Sequence, residues 1–313
     1  MKDRIITGLV LAAILIPIVS IEIFLELFQV VMSLFVIIAS HEMIRMYESK
    51  KKFQLLPKIG ISLLALGTFF SVGGVLGSGA HNPLEANGAL SITIPLITLV
   101  LLSFLVLFKD FNGEDAGKAL TIVNYIGLGA ASIVILRFLG VRFIVYLFLI
   151  TSATDIFAYL FGVKYGKHKM VPHISPKKSW EGAIAGTIFA TLIASSFALF
   201  YGYVFYPGTW LGDLLNSTGE LTLLDNFSSL GESNPLWVQA LIIVPVTFLG
   251  SIFAQIGDLV ASRLKRTYNI KDFGTILPGH GGLLDRFDSV LFVAMFLTSI
   301  FLLIYRIFPT III

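Results

Sequence analysis

The stretch that decides the fold lies late in the chain, where residues 236–261 read LWVQALIIVPVTFLGSIFAQIGDLVA. It holds a single charged residue, Asp258, and is longer than the roughly 20 apolar residues that cross a bilayer core as a helix. Similar stretches recur along the chain, which is 56% hydrophobic and 13% charged, with a mean hydropathy of +0.90. Soluble domains carry about twice that charged fraction. We therefore predict an all-α, polytopic integral membrane protein.

About nine membrane helices are expected, forming one helical membrane domain over residues 1–313. Its N-terminal helices fall in 1–140, and the helices and loops that carry its polar chemistry fall in 141–313. The predicted spans are 5–20, 22–40, 59–78, 89–108, 119–138, 141–163, 181–205, 236–261 and 288–308. The first is interpreted as a membrane helix and not as a signal peptide, because no cleavage site followed by a soluble domain appears.

Lysine and arginine are distributed unevenly between the two sides of this arrangement. Of the 22 basic residues, only Arg137, Arg142 and Arg306 fall on the side of the long acidic segment 206–235, to which no role is assigned. The positive-inside rule then places the N-terminus and the polar chemistry in the cytoplasm. We expect a multi-pass protein of the cell (inner) membrane. Because the chain has no cysteine, disulfides, zinc–thiolate sites and cysteine nucleophiles are excluded.

A polar link over residues 262–288 follows the deciding stretch and holds a cationic cluster, a glycine-rich turn and two carboxylates. A plain connection between membrane helices needs only a few polar residues. The candidate functional residues of the link are Ser262, Lys265, Arg266, Lys271, His280, Gly281, Gly282, Asp285, Arg286 and Asp288. Cations and glycine amides suit phosphate groups, and paired carboxylates suit Mg²⁺. The link therefore indicates a membrane-embedded enzyme of phosphate chemistry.

Each part of the link also has a purely structural interpretation. Asp258 lies on one helical face with Lys265 and could form an internal ion pair with Lys265 or Arg266. The glycine turn could be only a hairpin, and Asp285 and Asp288 could only complement the positive N-terminus of the last helix. A metal site is favoured because Asp258 offers a third carboxylate from the preceding helix.

A second polar cluster lies between the sixth and seventh predicted spans. One helical face carries, at spacings of four, three and four, Asp155, Tyr159, Gly162 and Gly166. A carboxylate at membrane depth needs a partner from another element. Lys177 and Lys178 precede Ser179, which is predicted to cap the next helix with Glu181 in its first turn. Lysines beside a helix N-terminus form a natural anion site.

The polar link resembles the signature of the phosphatidate cytidylyltransferases, also called CDP-diacylglycerol synthases. In this sequence the matching positions are Ser262, Leu264, Lys265, Arg266, Lys271, Asp272, Pro278, His280, Gly281, Gly282, Leu283, Asp285, Arg286, Phe287 and Asp288. Segments 155–166, 175–182 and 255–258 are also similar to that family. The specific resemblance covers about residues 155–290, whereas the N-terminal half is similar only as hydrophobic helices, with a weak match at His41-Glu42.

The resemblance implies transfer of the cytidylyl group of CTP to phosphatidate, giving CDP-diacylglycerol and pyrophosphate. It implies Mg²⁺ as cofactor and leaves open a second cation, divalent or monovalent. The implied metal ligands are Asp258 and Asp285, with Asp288 close by. The implied catalytic residues are Asp258, Asp285, Lys265 and Ser262. The implied substrate-binding residues are Arg266, Lys271, His280, Gly281, Gly282, Arg286, Lys177, Lys178 and Asp155. For His280 a hydrogen bond to substrate or backbone is preferred to proton donation.

The expected partners are CTP, phosphatidate and the lipid bilayer, with a homodimer implied by the resemblance and no nucleic acid. Two other functions remain open on the residues alone. A CTP-dependent lipid kinase would transfer the γ-phosphoryl group instead. A transporter or channel would use Asp155 and Asp258 in a polar pathway, although such a pathway should spread polar residues through the membrane depth.

Overall fold

The computed structural model describes residues 16–74, 87–214, 219–232, 234–277 and 281–309. The long helices are α1 (Leu25–Tyr47), α2 (Leu55–Gly73), α3 (Asn87–Leu107), α4 (Gly113–Leu139), α5 (Val141–Tyr165), α6 (Trp180–Leu199), α7 (Leu236–Thr267) and α8 (Leu284–Ile307). Counted over the residues whose side chains the structure describes, seven helices are long and apolar enough to cross a membrane. This confirms the prediction of an all-α, multi-pass membrane protein.

The predicted spans differ from these helices mainly at their ends. The predicted span 5–20 lies outside the described residues, apart from 16–20, which are helical. The predicted span 89–108 corresponds to α3, which runs from Asn87 to Leu107. Helix α4 starts at Gly113 because Asn112 and Asp115 form a reciprocal capping box, with hydrogen bonds of 3.0 and 3.1 Å.

Short elements complete the described chain. Two strands, β1 (Lys169–Val171) and β2 (Ser175–Ser179), form an antiparallel hairpin between α5 and α6 that was not predicted. A 3₁₀ turn covers Glu22–Phe24 and a π-helical turn within α4 covers Val123–Leu128. The remaining short helices are Tyr201–Val204, Trp210–Leu214 and Ser229–Glu232.

The helices form two compact units that alternate along the chain. Among the described residues, the first unit is built mainly from 23–135 and 264–291, and the second mainly from 136–263 and 292–309. The polar link is therefore divided, because Ser262 belongs to the second unit while the residues from Leu264 onward belong to the first.

In the first unit, aromatic side chains hold the later part of the polar link against the N-terminal helices. The rings of Phe35 in α1 and Phe287 in α8 lie 4.9 Å apart between centroids. The hydroxyl of Tyr125 in α4 donates a 3.0 Å hydrogen bond to the backbone carbonyl of Asp288. Helices from the N-terminal half, where the sequence shows little specific resemblance, thus position the first turns of α8.

In the second unit, α5 and α6 pack closely through small residues. A Cβ added at Gly186 would lie 2.7 Å from the carbonyl oxygen of Thr154, and one at Gly182 would lie 2.5 Å from that of Ala158. The spacing of Gly182 and Gly186 is the small-xxx-small pattern that lets membrane helices approach closely. This close pair forms the frame of the cavity described below.

Neutral hydroxyl groups link α5, α6 and α7 inside the second unit. Thr247 contacts the hydroxyl of Tyr146 at 2.7 Å and accepts from Ser195 at 2.9 Å. One turn further along α7, Ser251 and Thr154 lie 2.8 Å apart. We call these five residues the hydroxyl ladder. Its bonds hold three membrane helices in register, as interhelical hydrogen bonds do in other bundles.

The acidic segment 206–235 is attached to the start of α5 through a buried arginine. Arg142 pairs with Glu220 at 2.9 Å and also donates to the backbone carbonyl of Asp225. The Asp225 carboxylate in turn accepts from the amides of Leu221 and Thr222, at 2.7 and 3.0 Å. This segment therefore has a structural role that the sequence did not suggest.

Candidate active site

The centre of the first unit's polar cluster is Lys265, at the last turn of α7. Its ammonium group donates to Asp285 Oδ1 at 2.7 Å and lies 3.9 Å from Asp288 Oδ2. The side chains are largely buried, with exposed fractions of 11% for Lys265, 4% for Asp285 and 10% for Asp288. A buried ammonium shared by two carboxylates lowers the mutual repulsion of the carboxylates, which would otherwise be costly at this burial.

The other oxygen of Asp285 is bound to backbone amides. Oδ2 accepts from Phe273 at 2.8 Å and from Gly282 at 3.0 Å. Gly281 has a positive φ of 86°, which glycine adopts without strain. The described end of the glycine turn, Gly281 and Gly282, thus lies against a carboxylate of the chain itself, and the Gly282 amide that was expected to face phosphate donates to Asp285. Phosphate binding by Gly281 and Gly282 stays a prediction.

Phe273 also belongs to this cluster, although no sequence motif selects it. Its buried ring lies beneath Lys265, with the ammonium 4.9 Å from the ring centroid, within cation–π range. The signature leaves this position free, so only the three-dimensional contact identifies it.

Other cations of the polar link are open to solvent. Arg266, Lys271 and Arg286 are exposed, and Arg266 donates a 3.1 Å hydrogen bond to the carbonyl of Ile270. Exposed guanidinium and ammonium groups are accessible to an anionic ligand from solvent. His280 lies outside the described residues.

The second unit contains a cavity of about 560 Å³ between the end of α5, the β-hairpin and α6. Its polar lining includes Asp155, Tyr159, Lys169, Lys177, Lys178, Ser179 and Gln255. The predicted helical face is confirmed, because Asp155, Tyr159, Gly162 and Gly166 all line this cavity. Lys169 on β1 was not predicted, since it belongs to no motif. Three lysines around one opening make the cavity suitable for a phosphorylated ligand.

Asp258 obtains its partner from the hairpin and not from its own helix. Its carboxylate forms an ion pair with Lys178 on β2, so the suggested pairing with Lys265 is not seen. Asp155 is within electrostatic range of both Asp258 and Lys178. The second unit therefore brings two carboxylates and a lysine together near the cavity. Ser262, one turn beyond Asp258, is half-buried.

Local sequence explains how the cavity wall is built. Ser179 caps α6 by accepting from the Gly182 amide at 3.3 Å, which confirms the predicted cap. Glu181 accepts from His168 Nδ1 at 2.6 Å and so fastens the start of α6 to the hairpin. Gln255 donates to Thr187 at 2.8 Å and fixes α7 beside α6.

Neither cluster resembles a preformed metal cage. Among the residues that the structure describes, no group of three or more histidine, aspartate or glutamate side chains could by itself hold a metal ion. Mg²⁺ in nucleotide-dependent sites commonly takes one or two carboxylates and completes its coordination with water and substrate phosphates. The pair Asp285 and Asp288, and separately Asp258, fit that kind of ligand set, in which the substrate supplies the remaining oxygens.

Comparison with known proteins gives these clusters their family context. A model of the cytidylyltransferase family matches residues 2–304. Phosphatidate cytidylyltransferases of Staphylococcus aureus and Staphylococcus haemolyticus are each 39% identical to the chain over 198 residues, which is 63% of this chain and 64% of the relative. That of Staphylococcus saprophyticus is 35% identical over the same length. The match thus spans slightly less than two thirds of these curated relatives. With residues 2–304 matched, the chain belongs to the cytidylyltransferase family.

Proposed function

We propose that the protein transfers the cytidylyl group of CTP to phosphatidate, producing CDP-diacylglycerol and pyrophosphate. The observation that carries this proposal is the family match over residues 2–304. The named activity of the relatives suggests the lipid substrate. The lysine-lined cavity and the buried carboxylate cluster support it, because both substrates are polyanions.

In the proposed reaction, a phosphate oxygen of phosphatidate attacks the α-phosphorus of CTP. A new P–O bond forms, the bond between the α-phosphorus and the bridging oxygen breaks, and pyrophosphate leaves. A phosphate monoester is already anionic at neutral pH, so no strong base is required. The main obstacle is repulsion between the two substrates, which positioned cations can reduce.

The proposed roles in phosphate binding differ between the residues of the two units. Lys169, Lys177 and Lys178 surround the cavity of the second unit and are assigned to phosphate binding. Arg266, Lys271 and Arg286 are exposed and are assigned to further phosphate contacts. Lys265 is oriented by Asp285 and, with Ser262, is assigned to the reacting phosphates. Gly281, Gly282 and His280 are retained as proposed substrate contacts.

Metal binding is also part of the proposal. Asp258 and Asp285 would be the principal ligands of Mg²⁺, with Asp288 close by and Asp155 directed into the cavity; the number of cations is left open. When bound, the cation supplies charge neutralisation for the triphosphate and for the departing pyrophosphate. The ion pairs of Asp258 with Lys178 and of Asp285 with Lys265 hold these carboxylates in place.

The site is proposed to face the cytoplasm, since the basic residues concentrate on that side. The lack of native cysteine makes this simple to test. Lys52→Cys and Tyr206→Cys, both at exposed positions, should react with a membrane-impermeant thiol reagent from opposite sides. Labelling of both from the same side would contradict the orientation.

The expected homodimer is tested by the mass of the purified protein in detergent.

The decisive assay for the reaction uses purified protein, phosphatidate, Mg²⁺ and CTP labelled at the α or the γ phosphate. Transfer of the α label to lipid, with the γ label leaving as pyrophosphate, is expected. Transfer of the γ label to lipid, with release of CDP, would identify a lipid kinase and contradict the proposal. Absence of lipid-dependent transfer from folded protein would favour a transporter.

A further inference from the structure

Glu42 is a buried carboxylate of α1 that binds the start of α8. Its side chain is only 2% exposed, yet its two oxygens accept hydrogen bonds from consecutive backbone amides. Oε1 accepts from Leu283 and Oε2 from Leu284, both at 2.9 Å. A membrane helix far away in sequence thus supplies the cap for the helix that carries Asp285, Arg286 and Asp288.

This arrangement satisfies a need of α8 that its own side chains do not meet. The first amides of a helix have no partners within the helix, and the helix dipole is positive there. Asp285 lies in the first turn, but its Oδ2 is directed to Phe273 and Gly282. Within the described part of the chain, no lysine or arginine forms an ion pair with Glu42. The backbone amides of Leu283 and Leu284 are therefore the hydrogen-bond donors that the structure shows for its two oxygens.

Two glycines make room for this carboxylate. The three atoms nearest to a Cβ added at Gly274 all belong to Glu42, and the closest, Oε1, would overlap with it. A Cβ at Gly282 would lie 2.7 and 2.8 Å from the two Glu42 oxygens. Such distances are shorter than real Cβ contacts. These glycines thus serve close packing around Glu42, in addition to any role in substrate binding.

We infer that Glu42 is a positioning residue, which fixes the first turn of α8 and through it the direction of Asp285 and Arg286. The chain of contacts is short: Glu42 holds the Leu283 and Leu284 amides, and Asp285 follows directly and holds the Gly282 amide. The inferred effect on catalysis rests on the proposed function, whereas the effect on the helix start does not. A displacement of reacting groups by about 1 Å can cost about 100-fold in rate.

The test replaces Glu42 by glutamine, which keeps the shape but presents a donor to one of the two amides. Glu42→Gln should lower kcat about 100-fold and change KM for CTP and phosphatidate less than about threefold, because the cavity lysines are untouched. Hydrogen exchange of the peptide covering 281–290 should become faster, while that of α5 and α6 should not change. Glu48→Gln is the matched control, since Glu48 accepts from the Phe53 amide at 3.0 Å just beyond α1.

A second comparison, of Gly274→Ala with and without Glu42→Ala, keeps the test informative if Glu42→Gln does not fold. Gly274→Ala should lower kcat in the wild-type background, but have less than a twofold effect in Glu42→Ala, whose shortened side chain leaves space for the methyl group. Three outcomes would overturn the inference. Gly274→Ala could lower kcat equally in both backgrounds, or Glu42→Gln could leave kcat and hydrogen exchange unchanged. Glu42→Gln could also speed hydrogen exchange throughout the protein. If the wild type lacks the proposed activity, the exchange data still decide whether Glu42 holds α8.

Discussion

Replacing Asp285 by asparagine separates the electrostatic role of this residue from its structural role. The carboxylate accepts three hydrogen bonds, from Lys265 at 2.7 Å, Phe273 at 2.8 Å and Gly282 at 3.0 Å. An asparagine can direct its single oxygen to the two amides, and its NH₂ group then faces the ammonium. The charge-assisted bond to Lys265 is lost, which costs about 1.5–3 kcal/mol. Asp288, 3.9 Å from the same ammonium, can recover part of this. We therefore expect the free energy of unfolding to fall by about 2 kcal/mol.

The expected loss of turnover is larger than this structural cost. If Asp285 binds catalytic metal and orients Lys265, Asp285→Asn should reduce kcat by about 300-fold, which corresponds to about 3.4 kcal/mol in the activation barrier. The assay is label transfer from α-labelled CTP at saturating substrates, with thermal unfolding measured on the same sample. Asp110→Asn is the control, because that exposed carboxylate accepts from Gln54 at 2.8 Å and has no proposed role in catalysis. Turnover within tenfold of wild type, in folded Asp285→Asn, would refute this reasoning.

Three further predictions concern the other charged groups. Lys178→Met should raise KM for CTP about tenfold or more, because it removes a cavity cation and the partner of Asp258. Lys164→Met, at an exposed position, is the control and should leave KM unchanged. If the KM of Lys178→Met equals that of the control, Lys178 does not belong to the site. Arg142→Met should lower the free energy of unfolding by about 3 kcal/mol, because it removes the buried guanidinium that pairs with Glu220 and binds the Asp225 carbonyl, and kcat of the folded protein should not change. An unaltered melting temperature would contradict the buried pairing. Removal of Mg²⁺ with a chelator should abolish label transfer, and re-addition of Mg²⁺ should restore it. Full activity without a divalent cation would contradict the proposed cofactor.

The parts of the molecule that could be predicted from sequence are those fixed by local pattern. Apolar length located the membrane helices, and helical spacing correctly placed Asp155 and Tyr159 on one wall of the cavity. Ser179 was identified as a helix cap because its hydroxyl acts within one turn of its own position. In each case the deciding interaction lies between residues close together in the chain or in a single helix.

The contacts that could not be predicted join distant segments. The pairing of Asp258 with Lys178 crosses from α7 to a hairpin that the sequence did not suggest, and it replaces the local pairing with Lys265 that helical spacing allowed. Glu42 was noticed only as a weak match, because nothing in α1 indicates which amides its carboxylate will bind. Such contacts depend on the packing of whole helices, to which a single-sequence pattern is insensitive.

The hydroxyl ladder implies that the two kinds of polar contact in the second unit respond differently to ionic strength. Hydroxyl groups such as those of Tyr146 and Thr247 carry no charge at neutral pH, so added salt does not screen their hydrogen bonds. The pair of Lys178 and Asp258 is partly exposed, at 28% and 31%, and its attraction is screened over a Debye length of about 8 Å at physiological salt. Rising salt should therefore loosen the charged end of this helix group while its interior stays in register.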